Sequence, residues 1–404
     1  MDKKKHILVI SQYFYPEQFR INDICEELVK RGYEITVVTG IPNYPEGKYY
    51  SGYGLFQKSR EKYRGINIIR IPIISRGNTT FKLCMNYLSF VVSGFFWSYF
   101  TNLKVDYVYI YEVSPMTQAL PGIWYSKHRK IPCYIYVMDL WPENVVMVTG
   151  INNKLIVGLI NKMVNYIYLN SSEIFVSSKC FAENIKNRNV NVKKIHYWPQ
   201  YAEDFYSPYI QFSDIEIPQD TILNITFAGN IGFAQGLEIL PQTAKILKSK
   251  NILVRFNIIG DGRFKEILIS LVNQMNTNEY FNFIDRKAAT DIPKYLKGSD
   301  AALICLAKNK VFEMTIPAKT QTYMACGIPI LLSGDGEVQD IIKEAQCGFV
   351  SSSQNVEMLV DNIIKMNTLT REELKQLGNN GLAYYTKNFN KKKLLDKLDL
   401  YFKI

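Results

Sequence analysis

The hydrophobic positions of this chain come in short, nearly continuous runs set between longer mixed stretches. Ile7-Leu8-Val9-Ile10 predicts a first strand, Arg20 to Lys30 a helix ended by Gly32, and Ile35-Thr36-Val37-Val38-Thr39 a second strand. Apolar runs at Ile66 to Ile71, Tyr107 to Tyr111, Cys133 to Met138 and Ile174 to Val176 extend the series. A new series opens at Ile225-Thr226-Phe227-Ala228 and continues through Val254 to Ile259, Phe281 to Ile284, Ala301 to Cys305 and Ile328 to Leu332. Apolar strands alternating with helices are the pattern of parallel sheets covered on both faces. The expected class is therefore α/β, with two such units in tandem. Between them, residues 201–220 are polar and strand-poor, and Tyr206-Ser207-Pro208 and Ile217-Pro218-Gln219-Asp220 carry turn signals. This sets the expected domains at residues 1–205 and 206–389, followed by a helix rich in lysine and leucine within 390–404.

Composition narrows the picture. At 404 residues the chain is too long for one ordinary core, and 47% apolar residues suit full burial rather than disorder. Seven cysteines without a CxxC pair indicate neither a zinc site nor a disulfide framework, and fit a reducing cytoplasm. His6, His128 and His196 have no metal-ligand spacing, so no metal is expected. Met1 to His6 leads straight into the first strand, so no cleaved signal peptide is expected. A net charge of +11 draws anions, but the basic residues are scattered and no recognised binding motif favours nucleic acid. Phe81 to Phe100, FKLCMNYLSFVVSGFFWSYF, is long enough to span a bilayer, although Asn86, Ser89, Ser93 and Ser98 weaken that reading. Core helix, interfacial helix and true span stay open.

Candidate chemistry gathers in loops that follow strands. Phe227 to Gly236, FAGNIGFAQG, reads as strand, glycine loop and helix start, where the backbone can approach a phosphate, although a plain tight turn reads the same way. Ile316-Pro317-Ala318-Lys319 leads into a helix ended by Gly327 and sets a lysine and backbone NH groups near a strand's carboxyl end. Open α/β sheets bind phosphorylated ligands there, and a solvated surface lysine is the alternative. Ile258-Ile259-Gly260-Asp261-Gly262 lacks the full GxGxxG spacing, which makes dehydrogenase chemistry a minor option. In the first half, Asp139-Leu140-Trp141-Pro142-Glu143 sets two carboxylates around an aromatic and a proline. Asp139 is either a functional carboxylate or the N-cap of a helix that starts near Pro142. Phe19, Arg20, Tyr44 and Glu46 lie in aromatic and proline-rich loops that suit a sugar-stacking or apolar acceptor surface, or core.

The stretch Phe312 to Ile330, FEMTIPAKTQTYMACGIPI, resembles the donor-sugar loop of retaining nucleotide-sugar glycosyltransferases of the GT-B fold, family 4. The resemblance covers nearly the whole chain and implies two Rossmann-like domains facing a cleft, acceptor-binding then donor-binding, with the last helix packing back on the first domain. It implies a UDP-sugar donor, no cofactor and no metal. The diphosphate would rest on Gly229, Asn230, Gly232, Gln235, Gly236 and Gly260, with Ile316, Ala318, Lys319 and Thr322 beside it and the uracil stacked on Arg286. A surface ion pair with Asp285 or Asp291 is the alternative role for Arg286. Asp139, Lys319 and Glu337 are the implied catalytic groups, Asp139 matching a position where many relatives place a histidine. Phe19, Arg20, Tyr44, Glu46, Trp141 and Glu143 would face the acceptor. There are departures: Asn230 and Gln235 stand where relatives place an arginine and a lysine, Met314 and Thr322 where they place two glutamates, and Gln18-Phe19-Arg20 where they place paired glycines. Lys319 is the leading substitute cation. The Thr-Ile-Pro-Ala-Lys pattern resembles the subgroup that includes fucosamine transferases, implying transfer of an N-acetyl-L-fucosamine-type sugar to a polyprenyl-diphosphate-linked saccharide of capsule or O-antigen synthesis. The implied location is the cytoplasmic face of the cell membrane, peripherally bound. A nucleotide-sugar 2-epimerase or a non-catalytic nucleotide-sugar binding protein on the same frame are the other readings.

Overall fold

A computed structural model describes residues 4–150, 153–210 and 215–402. The chain divides into one unit of Met1–Trp198 with Leu398–Ile404 and a second of Pro199–Lys397. The division thus falls after Trp198 rather than at residue 205, and the helix Lys391–Phe402 changes unit at Leu398.

Among the described residues the first unit holds eight strands: β1 (His6–Ile10), β2 (Glu34–Thr39), β3 (Arg60–Tyr63), β4 (Ile66–Arg70), β5 (Tyr107–Glu112), β6 (Cys133–Val137), β7 (Glu173–Val176) and β8 (Ile195–Tyr197). They run in the order β3-β4-β2-β1-β5-β6-β7-β8, all parallel except β3, which is antiparallel to β4. The sequence reading missed β3, because Arg60-Glu61-Lys62-Tyr63 is polar and only half-buried. Charged side chains are how an edge strand avoids pairing with another chain. Strand order reverses between β1 and β5, both buried throughout their central residues, so the loops after them leave in opposite directions. The last turns of Lys391–Phe402 pack on this sheet: Phe402 meets Tyr107 edge-on at 5.5 Å and Asp399 pairs with Arg31 at 2.5 Å.

The helix Thr80–Phe100 answers the question its composition left open in two ways at once. Asn86, Phe90, Gly94 and Ser98 form a buried stripe at four-residue spacing. Gly94 sits so near the helix Ala119–Arg129 that a Cβ there would be 2.3 Å from Pro121 Cγ. The opposite stripe stays exposed, with Phe81 75% and Phe100 77% accessible. Among the described residues it is the one helix long and apolar enough to cross a membrane.

The second unit is a wholly parallel sheet of β9 (Leu223–Ala228), β10 (Val254–Ile259), β11 (Phe281–Ile284), β12 (Ala301–Cys305), β13 (Ile330–Ser333) and β14 (Gly348–Ser351), in the order β11-β10-β9-β12-β13-β14. This is the doubly wound order, with its switch point between β9 and β12. Phe227, Phe256 and Leu303 fill one face of the sheet and Ile304, Ile330 and Met324 the other. β13 starts two residues later than the apolar run predicted, because Gly327 is left-handed (φ +65) and Pro329 lacks an NH for the ladder.

Candidate active site

Three loops meet at the carboxyl ends of β9, β10 and β12. Gly229 N donates to Ile259 O at 2.9 Å, Ile231 N to Asp261 O at 2.8 Å, and Ala307 N to Ala234 O at 3.1 Å. The backbones touch: a Cβ on Gly260 (φ +141) would lie 2.0 Å from Gly229 O, and one on Gly236 (φ +60) 2.8 Å from Ala307 N. Only glycine allows that approach, so the 229–236 loop is a pinned cradle rather than a free turn.

The helix Ala318–Ala325 begins beside this junction, with no side-chain cap on its first NH groups. Lys319 Nζ donates to Gln235 Oε1 at 2.6 Å and stands 3.6 Å from the centroid of the Phe227 ring. Its Cε would meet a Cβ on Gly229 at 2.9 Å. The residue keeps some accessible surface, but burial of its ammonium end pushes the pKa from 10.5 down to about 7, opposed only by the Cys305 thiol. Gln235, one of the residues standing where a cation was expected, is therefore the hydrogen-bond partner of the remaining cation. A poorly solvated amine with one neutral partner is primed to accept an anion.

The other expected donor-side residues divide. Asn230 is exposed on the same loop as Gly232. Arg286 is exposed past the end of β11, and both carboxylates offered as its partners are bound to lysines, Asp285 to Lys265 at 3.0 Å and Asp291 to Lys294 at 3.1 Å. Ile316 is buried in the core beneath β12 and β13, so its side chain is not available to a ligand. Thr322 Oγ1 donates back to Lys319 O at 3.1 Å, inside its own helix. Ala318 opens that helix. Glu337 opens the helix Glu337–Ala345 and is buried. It follows Gly336, whose Cβ would collide with Glu313 O at 1.9 Å.

In the first unit the Asp139 alternative is decided by its partners. The helix after it starts at Glu143 with Pro142 as N-cap and no side-chain cap, so Asp139 is not a helix cap. Its Oδ2 accepts from Ser114 N at 2.7 Å, tying the loop after β6 to the loop after β5. Below it lies Glu112, fully buried, whose Oε2 accepts from Asp139 N at 3.4 Å. Burial raises the Glu112 pKa well above its usual value, and the Asp139 charge adds to the rise. Trp141 and Glu143, expected to face the acceptor, are both held by partners in their own unit. Trp141 is buried and donates from Nε1 to Ser114 Oγ at 3.1 Å. Glu143 Oε1 accepts from Arg188 Nη2 at 3.3 Å and Asn184 Nδ2 at 3.0 Å. Phe19 stacks on Tyr13 at 5.1 Å and Tyr44 tilts against Phe19 at 5.3 Å, with the Arg76 guanidinium 5.1 Å from the Tyr44 ring. Arg20 begins the helix Arg20–Lys30 and Glu46 is exposed.

The sequence reading missed the groups that hold these loops. Glu17, buried, accepts from Asn43 N and Tyr44 N at 2.7 Å each. Burial lifts its pKa to about 7 against the pull of those NH groups. A chain of buried amides runs from the apolar helix to the Asp139 loop. Asn86 Oδ1 accepts from Gln12 Nε2 at 2.7 Å, Gln12 N donates to Gln118 Oε1 at 2.6 Å, and Gln118 Nε2 donates to Val113 O beside Ser114. One signal was legible: Asn86 is the one amide side chain in a largely apolar helix.

Comparison with known proteins bears on the second unit first. Residues 212–383 match the family described as Glycosyl transferases group 1. That match covers less than half of the chain and lies within the second unit. The whole chain is similar, at 22% identity over 80% of its length and 81% of the relative's, to the Escherichia coli (strain K12) protein named "Putative colanic acid biosynthesis glycosyl transferase WcaI". Among solved structures, the sucrose-phosphate synthase of Thermosynechococcus elongatus superposes over 99% of both chains with TM-score 0.76 at 14% identity. Anabaena Alr3699/HepE in complex with UDP and glucose does so over 99% of each with TM-score 0.70 at 12% identity. These likenesses establish a GT-B fold of two parallel-sheet α/β domains.

Proposed function

We propose that this chain is a glycosyl transferase that moves a sugar, with retention, from a UDP-sugar to a lipid-linked saccharide during surface polysaccharide synthesis. The observation that carries the reading is the junction at the β9/β12 switch point, where Lys319, Gln235 and a glycine cradle converge. Such a site suits a diphosphate, whose charge would bring Lys319 to its ammonium form. As the sugar–phosphate bond loosens, that charge and the fixed NH dipoles stabilise the departing diphosphate. The acceptor hydroxyl then attacks from the face being vacated and passes its proton to the leaving phosphate oxygen. Asp139 is assigned the role of orienting or stabilising the oxocarbenium-like sugar, and Arg286 that of stacking on uracil.

The uridine choice draws support from the complexes with UDP and glucose reported for Anabaena Alr3699/HepE. The polysaccharide context draws on the colanic acid relative. An N-acetyl-L-fucosamine-type donor rests on the Thr-Ile-Pro-Ala-Lys pattern alone. A polyprenyl-diphosphate acceptor would place the protein at the cytoplasmic leaflet of the cell membrane, bound peripherally, with the exposed stripe of Thr80–Phe100 as its lipid contact. No resident cofactor or metal enters this scheme. The deciding assay incubates the protein with UDP-N-acetylhexosamines and a short-chain lipid-linked acceptor. Acceptor-dependent release of UDP supports transfer. Interconversion of sugars without acceptor would establish the epimerase reading, and binding without turnover the non-catalytic one.

A further inference from the structure

Three long helices pack on one face of the first unit's sheet, Thr80–Phe100, Ala119–Arg129 and Lys154–Asn170, with the short helix Lys179–Lys186 on the same side, its Glu183 paired with Lys186. The crossovers β5 to β6 and β6 to β7 step in the same direction, so right-handed connection puts Ala119–Arg129 and Lys154–Asn170 on the same side. Thr80–Phe100 joins them there, Trp97 stacking on Tyr125 at 5.5 Å. Together the three long helices contain no aspartate or glutamate, whereas Arg20–Lys30, which steps the opposite way, carries Asp23, Glu26 and Glu27. Exposed apolar side chains occur on both outer helices: Phe96 and Leu88 on the first, Leu155 (80% accessible) and Leu159 (66%) on the last. Around them Lys82, Lys104, Lys130, Lys154 and Lys162 are exposed and form no ion pair among the described residues, and Lys127 lies 5.3 Å from the Tyr166 ring.

We propose that this three-helix face lies flat on an anionic lipid surface, with Lys154–Asn170 as a second contact beside Thr80–Phe100. The inference deepens the membrane reading above and rests on it for the acceptor's nature. An apolar stripe bounded by lysines is the signature of an interfacial helix, and the aromatic rings suit the headgroup level. Spanning is opposed by the buried stripe of Thr80–Phe100, since withdrawing it would expose Asn86 and break the Gly94–Pro121 contact. A second copy fits poorly, because a two-fold contact would set these lysines against their equivalents with no carboxylate on the three helices to receive them.

The test floats the full chain with phosphatidylcholine vesicles with and without about one third phosphatidylglycerol. Binding is expected only to the anionic vesicles, weakening as salt is added. Lys154→Glu and Lys162→Glu should each weaken partitioning by about fivefold or more. Leu155→Asp with Leu159→Asp should lower it by at least about tenfold. All are exposed, so UDP-sugar binding and transfer to a short-chain, detergent-dispersed acceptor should stay at wild-type levels. The proposal is overturned if the 154–170 variants bind anionic vesicles like wild type, if neutral vesicles bind equally, or if the face instead mediates lipid-free dimerisation abolished by the same variants. Failure of transfer to the soluble acceptor by wild type, with flotation intact, would instead sink the catalytic reading.

Discussion

Lys319 offers the sharpest quantitative test, because its charge in the empty site is set by burial and ligand binding must reverse that. Its pKa falls from 10.5 to about 7. A drop of roughly 3 to 4 units, at 1.36 kcal/mol per unit, is about 4 to 5 kcal/mol of disfavour for the ammonium, an upper figure because part of the residue meets solvent. Below about pH 7 the free protein already holds the proton. Above it, a bound diphosphate must draw a proton in, so affinity is expected to fall by up to about tenfold per pH unit until the pKa of the bound state is passed. A UDP-sugar is the right probe, since its esterified diphosphate has no proton of its own to lose in this range. Isothermal titration calorimetry near pH 8 in two buffers of different ionisation enthalpy should report proton uptake by wild type and none by Lys319→Met. The same shift affects stability in a definite direction. Between about 7 and 10.5 the unfolded chain binds the extra proton, so the penalty is full below about 7 and fades as pH rises. Lys319→Met should therefore unfold at a higher temperature than wild type near neutrality, with the gap closing toward pH 10. Flat affinity from about pH 6 to 9 with no proton uptake would refute the assignment of Lys319 as the diphosphate's cation.

Four further outcomes follow from named contacts. Asp139→Asn should cut turnover at least about tenfold with donor affinity held, while Glu143→Gln, which loosens the Arg188 pair, should cost about 1 kcal/mol in urea unfolding and leave turnover near wild type. Gly260→Ala forces a Cβ to 2.0 Å from Gly229 O at φ +141, so donor binding should be lost and stability lowered by about 2 kcal/mol or more, read by thermal shift with and without UDP-sugar. Arg286→Ala, exposed, should weaken UDP-sugar binding by about five- to tenfold with no change in melting temperature; equal loss for GDP- and dTDP-sugars would contradict a uracil contact. Asn86→Leu strands the Gln12 amide and Ile74 O, and should destabilise the protein by about 1 to 3 kcal/mol in urea titration.

How much of this was open to reading in advance depends on the distance over which each residue's partner lies. Continuous apolar runs such as Ile7–Ile10 and Ala301–Cys305 announced buried parallel strands, because a strand covered on both faces cannot carry polar residues on either. Residues 229–236 and 316–319 marked through local chemistry, glycines, a helix start and one lysine, two loops that the structure brings together. The polar edge strand β3 and the short β14 escaped, since neither carries a continuous apolar signature. The partners found for Asp139, Glu143 and Gln235 all lie far away in sequence. Glu143 became half of an ion pair with Arg188, Asp139 was tied to Ser114 rather than capping a helix, and Gln235 turned out to hold Lys319. The sequence by itself thus determined most of the strands and helices and the loops in which glycines and one lysine gather, because those depend on neighbours within one turn or one loop. Which carboxylates are free, which amides are spent and which lysine is poised near neutrality only the tertiary structure decided, because burial and pairing are properties of groups brought together by the fold.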